Sequence, residues 1–197
     1  MAKRGRRRQD HLARKAQGQG YRARSVFKLE AIDARYGLFG AAGRGAAVLD
    51  LGAAPGSWSQ YAVERGMQVT AVDLQEMQVA GATCIRADFT DEAAVQDLAA
   101  RGPFALVMSD AAPATTGNRL VDTGRSEALV ESALANLPQW LAPGGSCVFK
   151  IFQGGGEQAL VKALRERCGK AALYRPKSVR RESFETYLVG IDYRSAD

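Results

Sequence analysis

The sequence predicts an α/β domain with a central, mostly parallel seven-stranded sheet covered by helices on both faces. Three observations carry this expectation. Apolar, β-prone runs alternate with stretches of helical spacing from Ala46 onward. The first such run, Ala46 to Leu51, stops at Gly52 and restarts as helix-like sequence from Ser57. Three later runs end at Asp73, Asp88 and Asp110, which gathers carboxylates at the sheet edge where α/β domains bind ligands.

Taken in order, residues 1–20 are basic and lack apolar periodicity, so a flexible arm is expected ahead of a single domain spanning 21–197. Val26, Leu29, Ile32 and Ala34 fit a helix between Arg24 and Tyr36, which Gly37, Gly40 and Gly43 break. After the first strand, Ser57 is a plausible N-cap for a helix running to about Arg65, with Gly66 closing it. Strands are expected over Met67–Leu74 and Thr83–Arg86, then a helix over Asp91–Ala100 capped by Thr90. A strand over Phe104–Ser109 leads through a polar loop, Thr115–Leu120, into a long helix over Asp122–Leu141 that Pro143-Gly144-Gly145 stops. Cys147–Phe152, Ala171–Tyr174 and Phe184–Tyr193 read as the last strands, with a helix over Glu157–Cys168.

At 197 residues, with 46 % hydrophobic content, the chain can bury a real core. No apolar run approaches a membrane span and no signal peptide opens the chain, so a cytoplasmic protein away from membranes is expected. Cys84, Cys147 and Cys168 are odd in number and scattered, which fits buried free thiols in a reducing compartment. With His11 the one histidine and no paired Cys/His spacing, no metal site is expected. Charge is uneven. Through Lys28, ten basic residues face Asp10 alone, a net +9, whereas residues 29–197 carry −3. That asymmetry points to a polyanionic partner, although a solvated tail has the same composition.

Gly52 and Gly56 can adopt dihedrals forbidden to other residues and let a ligand approach bare backbone. The turn lacks the middle glycine of a dinucleotide fingerprint, places Trp58 where phosphate needs room, and is followed by no G-K-[ST]. Asp50-Leu51-Gly52-x-x-Pro55-Gly56 instead resembles motif I of S-adenosylmethionine (SAM) methyltransferases. A purely structural glycine turn is the plainer alternative. Asp73 falls about twenty residues beyond the turn, where an acid binds ribose hydroxyls.

Over nearly its whole length the chain resembles the RrmJ/FtsJ ribosomal RNA 2′-O-methyltransferases. The matching stretches are Tyr21 to Leu29, Asp50 to Tyr61, Ser109-Asp110-Ala111-Ala112-Pro113, Phe149-Lys150 and Ser183 to Tyr187. They supply Lys28, Asp110, Lys150 and Glu185 in the family's order, and Ser57 departs where a second glycine is expected. The resemblance implies a Rossmann-like SAM-dependent fold, a catalytic Lys28–Asp110–Lys150–Glu185 tetrad, and SAM held by Gly56, Trp58, Asp73, Asp88 and Asp110. Asp88 would take the adenine amino group, and Trp58 would wall the methionine end unless it is a core residue.

The implied reaction is methylation of a ribose 2′-hydroxyl in large-subunit (23S) ribosomal RNA. The implied target is a uridine of the peptidyl-transferase region, within the assembled subunit, and the enzyme is expected to act as a monomer. The reaction needs oxygen, methyl carbon and sulfur in line and a group that takes the hydroxyl proton. Lys150 is the candidate base. A free lysine has a pKa near ~10.4, so desolvation and neighbouring positive charge would have to help, and the alternative role is to orient the hydroxyl and stabilise its developing charge. Lys177, Arg180 and Arg181 could hold phosphate without reading a base. Three other readings compete: 2′-O-methylation of tRNA or an mRNA cap, an RNA-binding assembly factor without turnover, and, more distantly, an NAD-dependent oxidoreductase.

Overall fold

The computed structural model describes residues 11–180 and 182–194. Its centre is a seven-stranded sheet in the order β3-β2-β1-β4-β5-β7-β6. The strands are β1 (Ala47–Leu51), β2 (Gln68–Asp73), β3 (Ala82–Arg86), β4 (Phe104–Ser109), β5 (Leu141–Phe152), β6 (Cys168–Tyr174) and β7 (Glu185–Tyr193). β1 to β5 pair in parallel, and β7 runs antiparallel between β5 and β6. The order reverses between β1 and β4, which opens a crevice at their carboxyl ends.

Alternation of side chains along each buried strand feeds two cores. Leu49, Leu51 and Val107 face one side, with α5 (Glu92–Arg101), α6 (Arg119–Trp140) and α7 (Glu157–Arg167) over them. Val48, Leu106 and Met108 face the other, under α2 (Val26–Tyr36), α3 (Leu38–Ala42) and α4 (Ser57–Glu64).

Several boundaries differ from expectation for local reasons. Residues 11–18 form a helix, α1, where the sequence offers no element. Leu12 and Ala16, four residues apart, set one narrow apolar edge on the second core, too few to show as periodicity. The remainder of the expected arm, residues 1–10, lies outside the described residues. α3 fills the glycine-rich stretch after α2, with Gly37 left-handed (φ 66°) between the two helices. Gly56, not Ser57, caps α4, and Ser57 is its first helical residue. Asp91 rather than Thr90 precedes α5.

α6 starts earlier than expected because the Asn118 side chain accepts from the N–H groups of Leu120 and Val121. It also runs through Pro138. A proline there leaves the Leu134 carbonyl without its helical donor, and Arg167 Nη1 supplies one at 2.8 Å. Pro143-Gly144-Gly145 does not separate helix from strand. It bulges from within β5, where pairing jumps from Phe104↔Leu141 to Leu106↔Ser146. Cys147 and Cys168 are buried and Cys84 half-buried, all three as free thiols.

Candidate active site

The crevice is built by β-sheet register. Ser109 of β4 lies opposite Phe149 of β5, so Asp110 just beyond the strand end lies beside Lys150. β7 runs the other way, and its first residue, Glu185, pairs with Phe152, with Tyr187 opposite Lys150. α2 packs across this edge and contributes Lys28. Four residues far apart in sequence therefore meet in one place.

The contacts are close. Lys28 Nζ lies 2.8 Å from Glu185 Oε1 and 3.5 Å from Asp110 Oδ1. Lys150 Nζ lies 3.3 Å from the same Asp110 oxygen and donates to the Asp110 main-chain carbonyl. Both lysines are buried, so their charges must be matched locally. Two cations and two carboxylates do this. Tyr187, fully buried, donates its hydroxyl to Asp110 Oδ1 at 2.7 Å. Burial alone would raise the Asp110 carboxyl, but Lys150, then Lys28, with the Tyr187 hydrogen bond, hold it below its ordinary value. Burial, with Asp110 and Glu185 beside it, raises the Tyr187 phenol well above its usual range and keeps it a neutral donor. Sequence reasoning does not single out Tyr187, and its place at register distance from Lys150 is the signal that identifies it.

The cofactor side adjoins this cluster. Gly52 is left-handed (φ 65°), and a Cβ there would stand 2.4 Å from Ala111 Cβ and 2.9 Å from its Cα. The loop leaving Asp110 therefore presses against bare backbone. Gly56 (φ 104°) is approached just as closely by Val79. Asp73 Oδ2 accepts from Ala54 N–H at 2.9 Å and Oδ1 from Gln75 N–H at 2.8 Å, so it shapes the turn while each oxygen keeps a lone pair. Asp88 Oδ1 accepts from the N–H and hydroxyl of Thr90. A bare turn beside Asp73, with Asp88 one strand further out, has groups that a nucleoside carrying an amino-acid tail could use. Asp73 suits ribose hydroxyls, Asp88 an exocyclic amino group, and the first-turn N–H groups of α4 a carboxylate.

Trp58 departs from expectation in its side chain. The indole is 2 % exposed, donates Nε1–H to the Ser25 carbonyl at 3.0 Å, and packs against the Tyr187 ring at 5.9 Å. It belongs to the core, and its main-chain N–H, in the first turn of α4, is one of those a helix leaves without an internal acceptor. Asp50 opens the motif in the sequence but receives no role there. It is 1 % exposed, takes the Ser59 hydroxyl on Oδ2 at 2.6 Å, and leaves Oδ1 without a partner. Burial pushes its carboxyl up to about 7 against that hydrogen bond.

Arg24 and Arg180 stand near the mouth of the crevice, with Glu182 and Glu185 beside them. Burial and the neighbouring Arg180 lower the Arg24 guanidinium from its ordinary value. Arg175 donates to the carbonyls of Arg180, Ser183 and Glu185, folding the loop that delivers Glu185. Arg181 lies outside the described residues. A cavity of about 630 Å³ lined by Met77, Val79, Cys84 and Arg86 lies along β3, apart from the tetrad. Among the described residues, no group of three or more His, Cys, Asp or Glu could hold a metal ion, and no helix is long and apolar enough to cross a membrane.

Residues 21–193 match the family described as FtsJ-like methyltransferase. Curated relatives include ribosomal RNA large subunit methyltransferase E of Treponema denticola, 42 % identical over 94 % of this chain and 95 % of that protein. The enzyme of the same name from Nitratidesulfovibrio vulgaris (strain Miyazaki F) is 46 % identical, covering 94 % of each chain. Among solved structures, a Plasmodium falciparum protein described as a ribosomal RNA methyltransferase superposes with a TM-score of 0.78 at 23 % identity, over 89 % of this chain and all of that one. Human methyltransferase-like protein 13, solved with SAH, superposes at 0.58 and 16 % identity, over 78 % of this chain and 73 % of that one. These two likenesses bear on the fold, which is the Rossmann-like fold of SAM-dependent methyltransferases.

Proposed function

The chain belongs to the FtsJ-like methyltransferase family, and from that premise we propose that it methylates a ribose 2′-hydroxyl of large-subunit ribosomal RNA. The target in this reading is a uridine of the peptidyl-transferase region in the assembled subunit, reached by a cytoplasmic monomer. SAM is the cofactor, and when bound it supplies an electrophilic methyl group on a sulfonium.

The observation that carries the reading is the paired Lys28–Glu185 and Lys150–Asp110 cluster at the crevice, next to the glycine turn. The chain's own residues do the following. Asp73 and Asp88 bind the nucleoside part, and the backbone of Gly52 to Trp58 holds the amino-acid tail. Asp110 faces both cofactor and substrate, with Tyr187 fixing its carboxylate. Lys150 contacts the 2′-oxygen and, once its ammonium has released a proton to solvent, receives the hydroxyl proton as the oxygen–methyl bond forms and the methyl–sulfur bond breaks. Lys28, tied to Glu185, positions Asp110 and adds positive charge beside the oxygen. Positioning contributes by holding the reacting atoms in line, and proton transfer adds about a hundredfold to ten-thousandfold. The relatives' names support ribosomal RNA as substrate, and the net +9 carried by the chain through Lys28 supports a polyanion.

The test is to map 2′-O-methyl positions in total RNA from cells with and without this gene. One large-subunit rRNA uridine should lose its methyl group when the gene is absent. An unchanged large subunit, with a methyl group lost from tRNA or from an mRNA cap, would move the activity to that RNA. No loss in any RNA would leave an assembly factor.

A further inference from the structure

The mouth of the crevice exposes groups that the fold itself leaves unused. Leu120 is 82 % exposed and Val121 39 %, both in the first turn of α6. Exposed leucine forfeits the stabilisation of burial at a position where a polar residue would serve the helix as well. Beside them the exposed Arg119 guanidinium lies 5.2 Å from the centroid of the Phe184 ring, and its Nη2 donates to the Gln153 carbonyl at 3.4 Å. Phe184 meets Phe152 edge-to-face at 4.7 Å, and the Gln153 N–H donates to the Phe184 carbonyl at 2.8 Å. The half-buried ring is thus anchored from below and covered by a flat cation. Phe184 directly precedes Glu185, the carboxylate that holds Lys28.

We propose that Arg119 and Phe184 form a stacking platform for an unpaired nucleobase that flanks the methylated ribose, an inference that rests on the RNA reading above. A nucleobase presents a flat π-face whatever its identity, and aromatic rings and guanidinium planes are the side chains that stack on it. The guanidinium, steadied over Phe184, offers its outer face to the base. Its charge also suits the adjoining phosphate, as Arg24 and Arg180 do elsewhere at the mouth. Nothing in this pair donates or accepts in a pattern that distinguishes bases, so the platform holds the strand in register without reading it.

The experiment compares wild type with Phe184→Ala, Arg119→Ala and Phe184→Tyr, using large ribosomal subunits from cells lacking the gene. Phe184→Ala and Arg119→Ala should raise KM for subunits about tenfold, the equivalent of about 1.4 kcal/mol and within the range for one stacked base. Their kcat and SAM affinity should stay within about twofold of wild type, and Phe184→Tyr should restore KM because the ring persists. An unchanged KM in Phe184→Ala overturns the platform, as does an equal loss in Phe184→Tyr. Subunit binding is measured alongside by sedimentation. Binding that Phe184→Ala weakens, with no 2′-O-methyl formed even by wild type, would refute the proposed reaction and support the platform. Methyl transfer at unchanged KM would do the reverse.

Discussion

Replacing Gly52 by alanine tests whether the end of β1 and the loop after β4 are built against each other. Gly52 has φ 65°, and an added Cβ would stand 2.4 Å from Ala111 Cβ and 2.9 Å from Ala111 Cα. Ordinary contact between such carbons needs about 4 Å, and the obstacle is backbone and a one-carbon side chain, neither of which can rotate away. Left-handed backbone costs an alanine about 1–2 kcal/mol, and forcing a methyl into filled space costs about 1–3 kcal/mol more. Gly37 is the natural control, with φ 66° and nothing within 4 Å of its added Cβ. Gly37→Ala should therefore cost only the first part. For a chain of this size 1 kcal/mol moves Tm by about 2–4 °C, so Gly52→Ala should lose about 4–20 °C and Gly37→Ala about 2–8 °C. Ala111 follows Asp110 directly, so its displacement should also weaken SAM binding about tenfold or more, whereas Gly37→Ala binds normally. Thermal unfolding and SAM calorimetry read both effects. Equal Tm losses, or wild-type SAM affinity in Gly52→Ala, would refute the reasoning.

Four further outcomes are expected. Asp73→Ala should weaken SAM binding with the fold retained, whereas Trp58→Ala empties a buried indole site and should cost about 3–5 kcal/mol of stability, readable by urea unfolding. Asp50 binds its proton more tightly folded than unfolded, because burial lifts it from 3.8 to about 7. Its contribution is thus complete below about pH 4 and fades as pH rises toward 7, by at most about 4 kcal/mol, and Asp50→Asn should flatten that part of the stability profile. Parallel pH profiles for the two proteins would contradict this. Deleting residues 1–10 removes Lys3, Arg4, Arg6, Arg7 and Arg8. RNA binding should weaken with SAM affinity unchanged, and its salt slope should flatten by about 0.7–0.9 for each phosphate the arm had neutralised. An unchanged slope in filter binding would make the arm a bystander.

Much of this architecture is legible in the sequence because buried parallel strands read as apolar runs, and helices between them keep their own period. Asp73, Asp88 and Asp110 announce themselves as acids at strand ends, and Lys150 as a charge inside an apolar run. What escapes sequence reading depends on contacts between distant segments. Pro138 looks like a helix breaker until Arg167 is seen to serve the carbonyl it orphans. Pro143-Gly144-Gly145 looks like a terminator, yet the register slip lets it bulge within a strand. Trp58 stands in the right loop, but its indole turns to Ser25 and Tyr187. Tyr187 is one of several core aromatics by sequence, and only the antiparallel pairing of β5 with β7 sets it on Asp110.

In the proposed reaction Lys150, near the end of an apolar strand and bonded to Asp110, handles the hydroxyl proton. Its most direct test is methyl transfer to large ribosomal subunits by Lys150→Ala, with SAM binding measured on the same protein. Transfer should fall by about a hundredfold to ten-thousandfold or more while SAM affinity stays within about twofold, and Lys150→Arg should fail too because a guanidinium holds its proton. Near-wild-type transfer by Lys150→Ala would contradict the account and leave Lys150 a structural partner of Asp110.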